Sequence, residues 1–214
     1  GNDYQVELSE ASSGFQSLVP LYLVSYYLAN AVRRQVENPQ KMSHNESQRF
    51  NDAVKSIWAD TTLTDEQRRI ALSAVSSQFN KTAFINIVEE PEQNLFPVSQ
   101  RNMLYSLLEF NNYSAENKLV ITTHSPYIIN DLSLAVKAKQ VDTTMGVAGT
   151  ESVPIKSLLS PDDLVIYEIN NRGTVSKLAD YCGLPSDENY LNELLAESGY
   201  LFTELLQLED KYGK

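Results

Sequence analysis

Apolar positions recur at helical spacing through Phe15, Leu18, Val19, Tyr22, Tyr26, Ala29 and Val32, which predicts a helix of about 20 residues after the polar stretch SEASSG. Pro20 falls inside that run. A proline beyond the first turn removes a backbone hydrogen bond, so a kink or a late helix start is expected there. The opening YQVEL has strand character, and residues 37–47, VENPQKMSHNE, read as a polar loop. Two helices are predicted near 47–59 and 65–79, the second announced by Thr64 and Gln67 at capping-box spacing. AFINIV at 83–88 reads as a strand buried on both faces, and KLVITT at 118–123 as a second buried strand. Between them Pro97 opens a helix with Val98, Leu104, Leu107, Leu108 and Phe110 as its apolar positions.

Strand, helix and strand over about 40 residues is the pattern of a right-handed crossover in a parallel sheet, so the fold class is α/β. Residues 140–160 lack periodicity and hold Gly146, Gly149 and Pro154, which predicts a loop. DLVIYEINNRGTVSKL reads as a hairpin at the sheet edge, turning at Asn170-Asn171-Arg172-Gly173. From about 188 onward Leu191, Leu194, Leu195, Leu201, Phe202, Leu205 and Leu206 predict a terminal helix. The chain is therefore expected to be one domain with a helical insertion at about 37–80 and a hairpin and helix at about 160–214.

Composition narrows the function classes. The 214 residues are 42% hydrophobic and 21% charged, as in ordinary globular proteins. No apolar run approaches the roughly 18 residues of a membrane span, and no basic stretch leads into an apolar one at the N-terminus, so a cytoplasmic location without membrane contact is expected. A single cysteine, Cys182, excludes an internal disulfide and a cysteine-rich zinc site. The formal charge of −11 opposes broad binding to a phosphate backbone, and Lys137 with Lys139, or Arg33 with Arg34, read as solvated helix faces.

Chemistry concentrates in FINIVEEPEQNLFP, where an apolar strand runs into Glu89, Glu90 and Glu92. Unpaired charge is costly in a core, but in parallel α/β sheets ligands bind beyond the carboxyl ends of the strands. The second predicted strand ends in Thr123-His124-Ser125-Pro126. Adjacent strands would bring Glu89, Glu90 and His124 to one rim, where the carboxylates face solvent and a magnesium-bound triphosphate can sit. Each feature alone has a plainer reading. An acidic strand end is often a solvated turn, a lone histidine is more often hydrogen-bonded structure, and Ser-Ser-Gly is an ordinary helix start.

In combination and in this order, SSGFQSL, FINIVEEPEQNLFP and LVITTHSP resemble the C-terminal lobe of ABC-class ATPases. The likeness is to the soluble group that includes SMC, RecF and OLD-like proteins and bacterial ATPases of AAA type. It covers roughly residues 8–132 well and the remainder loosely. The resemblance implies a P-loop NTPase-like fold. It makes Ser12, Ser13 and Gly14, with Gln16 behind them, the counterpart of the signature motif, which reaches the γ-phosphate of a nucleotide held by a second subunit. Backbone N–H groups and hydroxyls at a helix N-terminus suit that anion. Glu89 falls where the Walker B acid holds Mg2+ through water, Glu90 where a carboxylate orients or deprotonates the attacking water, and His124 where the switch histidine meets the same phosphate. Glu92 matches no assigned role and reads as a capping or pairing residue. ATP and Mg2+ are the implied cofactors, and a homodimer of heads coupled to DNA or to a protein partner is the implied assembly.

The sequence departs from the pattern in places. The OLD-like group commonly has histidines where Asn94 and Phe96 stand, and Ser13 replaces the second glycine of the transporter signature. No glycine-rich loop ending in Gly-Lys-Ser/Thr is present: the one Gly-Lys pair is Gly213-Lys214, with Leu208 where the first glycine would stand. A fragment is therefore expected, inactive alone, whose Walker A lobe lies upstream and whose sheet exposes an apolar edge. Two other classes compete with this ATPase reading. One is a non-catalytic interaction module on a degenerate ATPase fold. The other is a metal-dependent hydrolase using Glu89, Glu90, Glu92 and His124, which consecutive strand residues pointing to opposite faces disfavour. A nuclease domain of the kind fused to OLD ATPases finds no support, since Glu168 lacks a following pair of aspartates.

Overall fold

A computed structural model describes residues 5–37, 42–146 and 153–212. The helices are α1 (Ser13–Glu37), α2 (His44–Ala59), α3 (Asp65–Gln78), α4 (Pro97–Asn111), α5 (Pro126–Met145) and α6 (Tyr190–Tyr212). The strands are β1 (Ile85–Glu89), β2 (Lys118–Thr122), β3 (Tyr167–Ile169), β4 (Val175–Lys177), β5 (Asp180–Tyr181) and β6 (Leu184–Pro185). The chain forms two compact units, one of residues 1–22, 88–109 and 121–214, the other of residues 23–87 and 110–120.

β1 and β2 pair with each other. The Lys118 amide donates to the Phe84 carbonyl at 3.0 Å and the Glu90 amide to the Thr122 carbonyl at 2.8 Å, so partner numbers rise together and the strands are parallel. With α4 between them they form the predicted crossover unit.

Burial on both strand faces is not found. Val88 is 4% exposed, whereas Ile85 and Ile87 are 66% and 69% exposed and Val120 is 49% exposed. Among the described residues nothing covers that side, so the continuous apolar run signals two-sided burial that only one side receives. The Asn86 side of β1 is covered: its amide donates to the hydroxyl of Ser25 in α1 at 3.1 Å.

Other expectations are also corrected. Of the kink or late start expected at Pro20, the late start is not found, since α1 begins at Ser13 and continues through Pro20. The described part of YQVEL is not a strand, and a 3-10 turn follows at Leu8–Glu10. α5 reaches Met145, taking in residues expected to be loop. The Thr143 and Thr144 hydroxyls donate to the Lys139 and Gln140 carbonyls, and Gly146 stops the helix with a left-handed φ of 65°. The rest of the 140–160 segment includes 147–152, outside the described residues. The hairpin forms, with the Gly173 amide donating to the Asn170 carbonyl at 2.9 Å, but β3 and β4 make their own sheet rather than an edge of β1–β2. The antiparallel pair β5–β6 went unforeseen because each strand has only two residues.

In the unit of residues 23–87 and 110–120, Ala29, Val32, Phe84 and Phe110 form a buried cluster with Tyr113 against it. Tyr26 meets Phe110 edge-on at 5.8 Å, and the Arg33 guanidinium lies 4.6 Å from the Tyr113 ring centroid. Asn117, 4% exposed, ties three segments together. Its side-chain oxygen accepts from the Phe84 amide at 2.8 Å, and its side-chain nitrogen donates to the Phe110 and Asn111 carbonyls at 3.3 and 3.1 Å. α2 and α3 start at complete capping boxes, Ser43 with Glu46 and Thr64 with Gln67.

Glu46 also receives Lys81. Hydrogen bonds from Lys81, then from Ser43, hold its carboxyl down to about 2. An unfolded glutamate titrates at about 4.3, so this contribution to stability is present above that pH and is lost as pH falls toward about 2. Lys81→Met should therefore make stability less steep across that acid window in urea titrations. The change will be small and salt-sensitive because both side chains are partly exposed.

In the other unit, Met103, Leu104, Leu107 and Leu108 of α4 and Ile128, Leu132, Ala135 and Val136 of α5 are buried. Burying each large side chain contributes about 1.5–3 kcal/mol. Asp131 of α5, its side chain 5% exposed, accepts from Arg101 of α4 at 2.8 Å. Burial pushes its carboxyl up, and Arg101 draws it back toward the charged form.

Candidate functional site

The two parallel strands end side by side. β1 stops at Glu89, and Glu90 follows with a φ of 45°, a left-handed conformation that non-glycine residues rarely adopt. Such strain, about 1–3 kcal/mol, persists where the surroundings over-determine it, and here three contacts do so. The Glu90 amide is fixed to the Thr122 carbonyl at 2.8 Å. The Glu90 carbonyl accepts from the Gln93 amide at 3.1 Å, and its carboxylate Oε2 accepts from Gln93 Nε2 at 2.9 Å.

Because Glu90 lies past the strand, its side chain no longer follows strand alternation. Its Oε1 lies 3.5 Å from His124 Nε2, just after β2. The imidazole is 82% exposed and the Glu90 carboxylate 37% exposed, so the pair opens to solvent. Glu92, in the same turn, accepts the His124 backbone amide at 2.7 Å. Glu89 is exposed, on the side of β1 that carries Ile85 and Ile87.

Behind the histidine a buried polar relay holds the loops. Ser125, 6% exposed, donates its hydroxyl to Gln100 Oε1 at 2.6 Å, and Gln100 Nε2 donates to the Leu95 carbonyl at 2.9 Å. Sequence reasoning missed Gln93, Gln100 and Ser125. The available signal was their proximity to the acids, Pro97 and His124 in the chain, but no periodicity marks them.

Ser12 and Ser13 are exposed where α1 begins. The Gln16 side chain is turned backward, donating to the Ser9 and Ala11 carbonyls at 2.9 Å each, and so braces the turn before the helix. A Cβ at Gly14 would lie 2.7 Å from the Asn94 carbonyl oxygen, so only glycine fits the approach between this helix start and the loop after the acids. The structure thus brings Glu90, Glu92 and His124 into contact and sets Gly14 against Asn94 of the same loop.

Among the described residues no group of three or more His, Cys, Asp and Glu side chains is arranged to hold a metal ion. A cavity of about 440 Å³ among Pro161, Ile166, Lys177, Leu178, Cys182 and Gly183 shares no lining residue with the acidic rim. An exposed carboxylate beside an imidazole, on strand ends of a parallel crossover, can accept a proton from water and present an N–H to an anion.

The family profile of the AAA ATPase domain matches residues 2–129, more than half of the chain. The chain belongs to this ATPase family. No curated protein and no solved structure matches it significantly. No described helix is long and apolar enough to cross a membrane.

Proposed function

We propose that this chain is the part of an ABC-class ATPase, of the group that includes SMC, RecF and OLD-like proteins, that bears the signature motif, the Walker B acids and the switch histidine. The observation that carries the reading is the meeting of Glu90 and His124 at 3.5 Å on the ends of two parallel strands. Glu90 orients or deprotonates the attacking water, and His124 contacts the γ-phosphate. Exposed Glu89 suits Mg2+ held through water, since that ion prefers oxygen donors and keeps part of its hydration. Bound with ATP, the ion neutralises charge developing on the phosphates. Ser12, Ser13 and Gly14 offer a helix N-terminus to the nucleotide of a second copy, while Gln16 braces that cap.

The sequence has no Gly-x-x-x-x-Gly-Lys-Ser/Thr, so the loop that wraps the phosphates comes from a segment outside these residues. Two heads then close on ATP and part after hydrolysis, and this motion acts on DNA or on a protein partner.

The test is ATP turnover by the full-length protein. Mg2+-dependent hydrolysis is expected, with His124→Ala lowering kcat by about 10²-fold through loss of one donor to the transition state. Absence of turnover in a protein that carries the phosphate loop would leave the non-catalytic interaction module as the reading.

A further inference from the structure

We infer that Glu92 is a positioning residue that sets the His124 imidazole against Glu90. This rests on the ATPase reading only for its effect on turnover. The Glu90 amide donates across to Thr122 at the end of β2, and Glu92 Oε1 accepts back from the His124 amide at 2.7 Å. The two bonds run in opposite directions between the strand ends and bracket Thr123. A carboxylate accepting a backbone N–H makes a shorter and stronger bond than a neutral acceptor, which suits a clamp on an otherwise exposed residue. The His124 ring is 82% exposed and has little packing to orient it, so its place opposite Glu90 depends on where its backbone is held.

The other oxygen, Glu92 Oε2, is buried and has no hydrogen-bond partner among the described residues. Stability alone disfavours a buried, unpartnered carboxylate oxygen. Local rules broken in this way concentrate at functional sites, and here the breach lies in the turn that delivers Glu90. The turn itself is independently closed by the Gln93 amide to the Glu90 carbonyl and the Leu95 amide to the Glu92 carbonyl, at 3.1 and 3.0 Å. The Glu92 side chain is therefore not needed to form the turn and is left to hold His124.

The test uses full-length protein labelled with 15N-histidine, with His124 assigned by loss of its signals in His124→Gln. The His124 amide proton should resonate far downfield in the wild type, keep most of that shift in Glu92→Gln, and lose it in Glu92→Ala. In the wild type Glu90→Gln should move the His124 imidazole signals, and in the Glu92→Ala background it should not. Glu92→Ala should lower kcat for ATP with KM unchanged, and Glu92→Gln should restore most of it. An amide signal identical in wild type and Glu92→Ala would overturn the clamp, and unchanged ring coupling to Glu90 would overturn the positioning role. If the wild type hydrolyses no ATP, the ATPase reading falls, while the two spectroscopic comparisons still decide the role of Glu92.

Discussion

Glu90→Gln in the full-length protein should lower ATP turnover by about 10³-fold while leaving nucleotide binding intact, because general-base catalysis contributes about 10²–10⁴-fold. Glutamine matches glutamate in shape and keeps a carbonyl oxygen for Gln93 Nε2, now 2.9 Å from the carboxylate. It suffers the same left-handed φ of 45°, so the substitution removes basicity with little change in backbone strain. The contact with His124, at 3.5 Å and open to water, adds little to stability, so the unfolding midpoint should stay near that of the wild type. Single-turnover hydrolysis beside equilibrium binding of ATP makes the measurement. Turnover equal to the wild type would remove Glu90 from the reaction.

Asn117→Ala should destabilise the fold by about 3 kcal/mol, since each buried group left without a partner costs about 1–3 kcal/mol. The Phe84 amide, which enters β1, loses the acceptor that holds it at 2.8 Å, and the Asn111 carbonyl at the end of α4 loses a donor at 3.1 Å. Alanine vacates a space of about one water, and a water held there by the Phe84 amide and the Asn111 carbonyl restores only part of the lost bonding at a position 4% exposed. Urea unfolding followed by circular dichroism checks this, with a lower midpoint and an unchanged slope as the expected result. A loss under about 0.5 kcal/mol, the range of an ordinary surface substitution, would show that Asn117 does not join these segments.

The sequence made the acidic rim legible because two apolar runs terminate in charged residues, and parallel pairing then leaves those ends together. Glu90 and His124 meet for that reason. Glu92 belongs to the acidic run that the sequence singles out, but its choice of the His124 amide depends on tertiary geometry that no spacing encodes. The same holds for the Ser125 to Gln100 relay, made by side chains 25 positions apart in the chain. The faces of β1 are not legible for a different reason. Ile85 and Ile87 signal burial wherever they occur, but a residue is buried only where something covers it, and the described residues cover one side. The polar end of α5 gave no apolar period to follow, although Gly146 marked its stop.

At Glu90 the demands of folding oppose those of the proposed chemistry. Glycine would adopt a φ of 45° freely, so Glu90→Gly would relax the turn and remove the carboxylate to which the proposed function assigns the base in one step. A search for sturdier variants will thus tend to select against the carboxylate at this position, and any such gain should be read against turnover before it is kept.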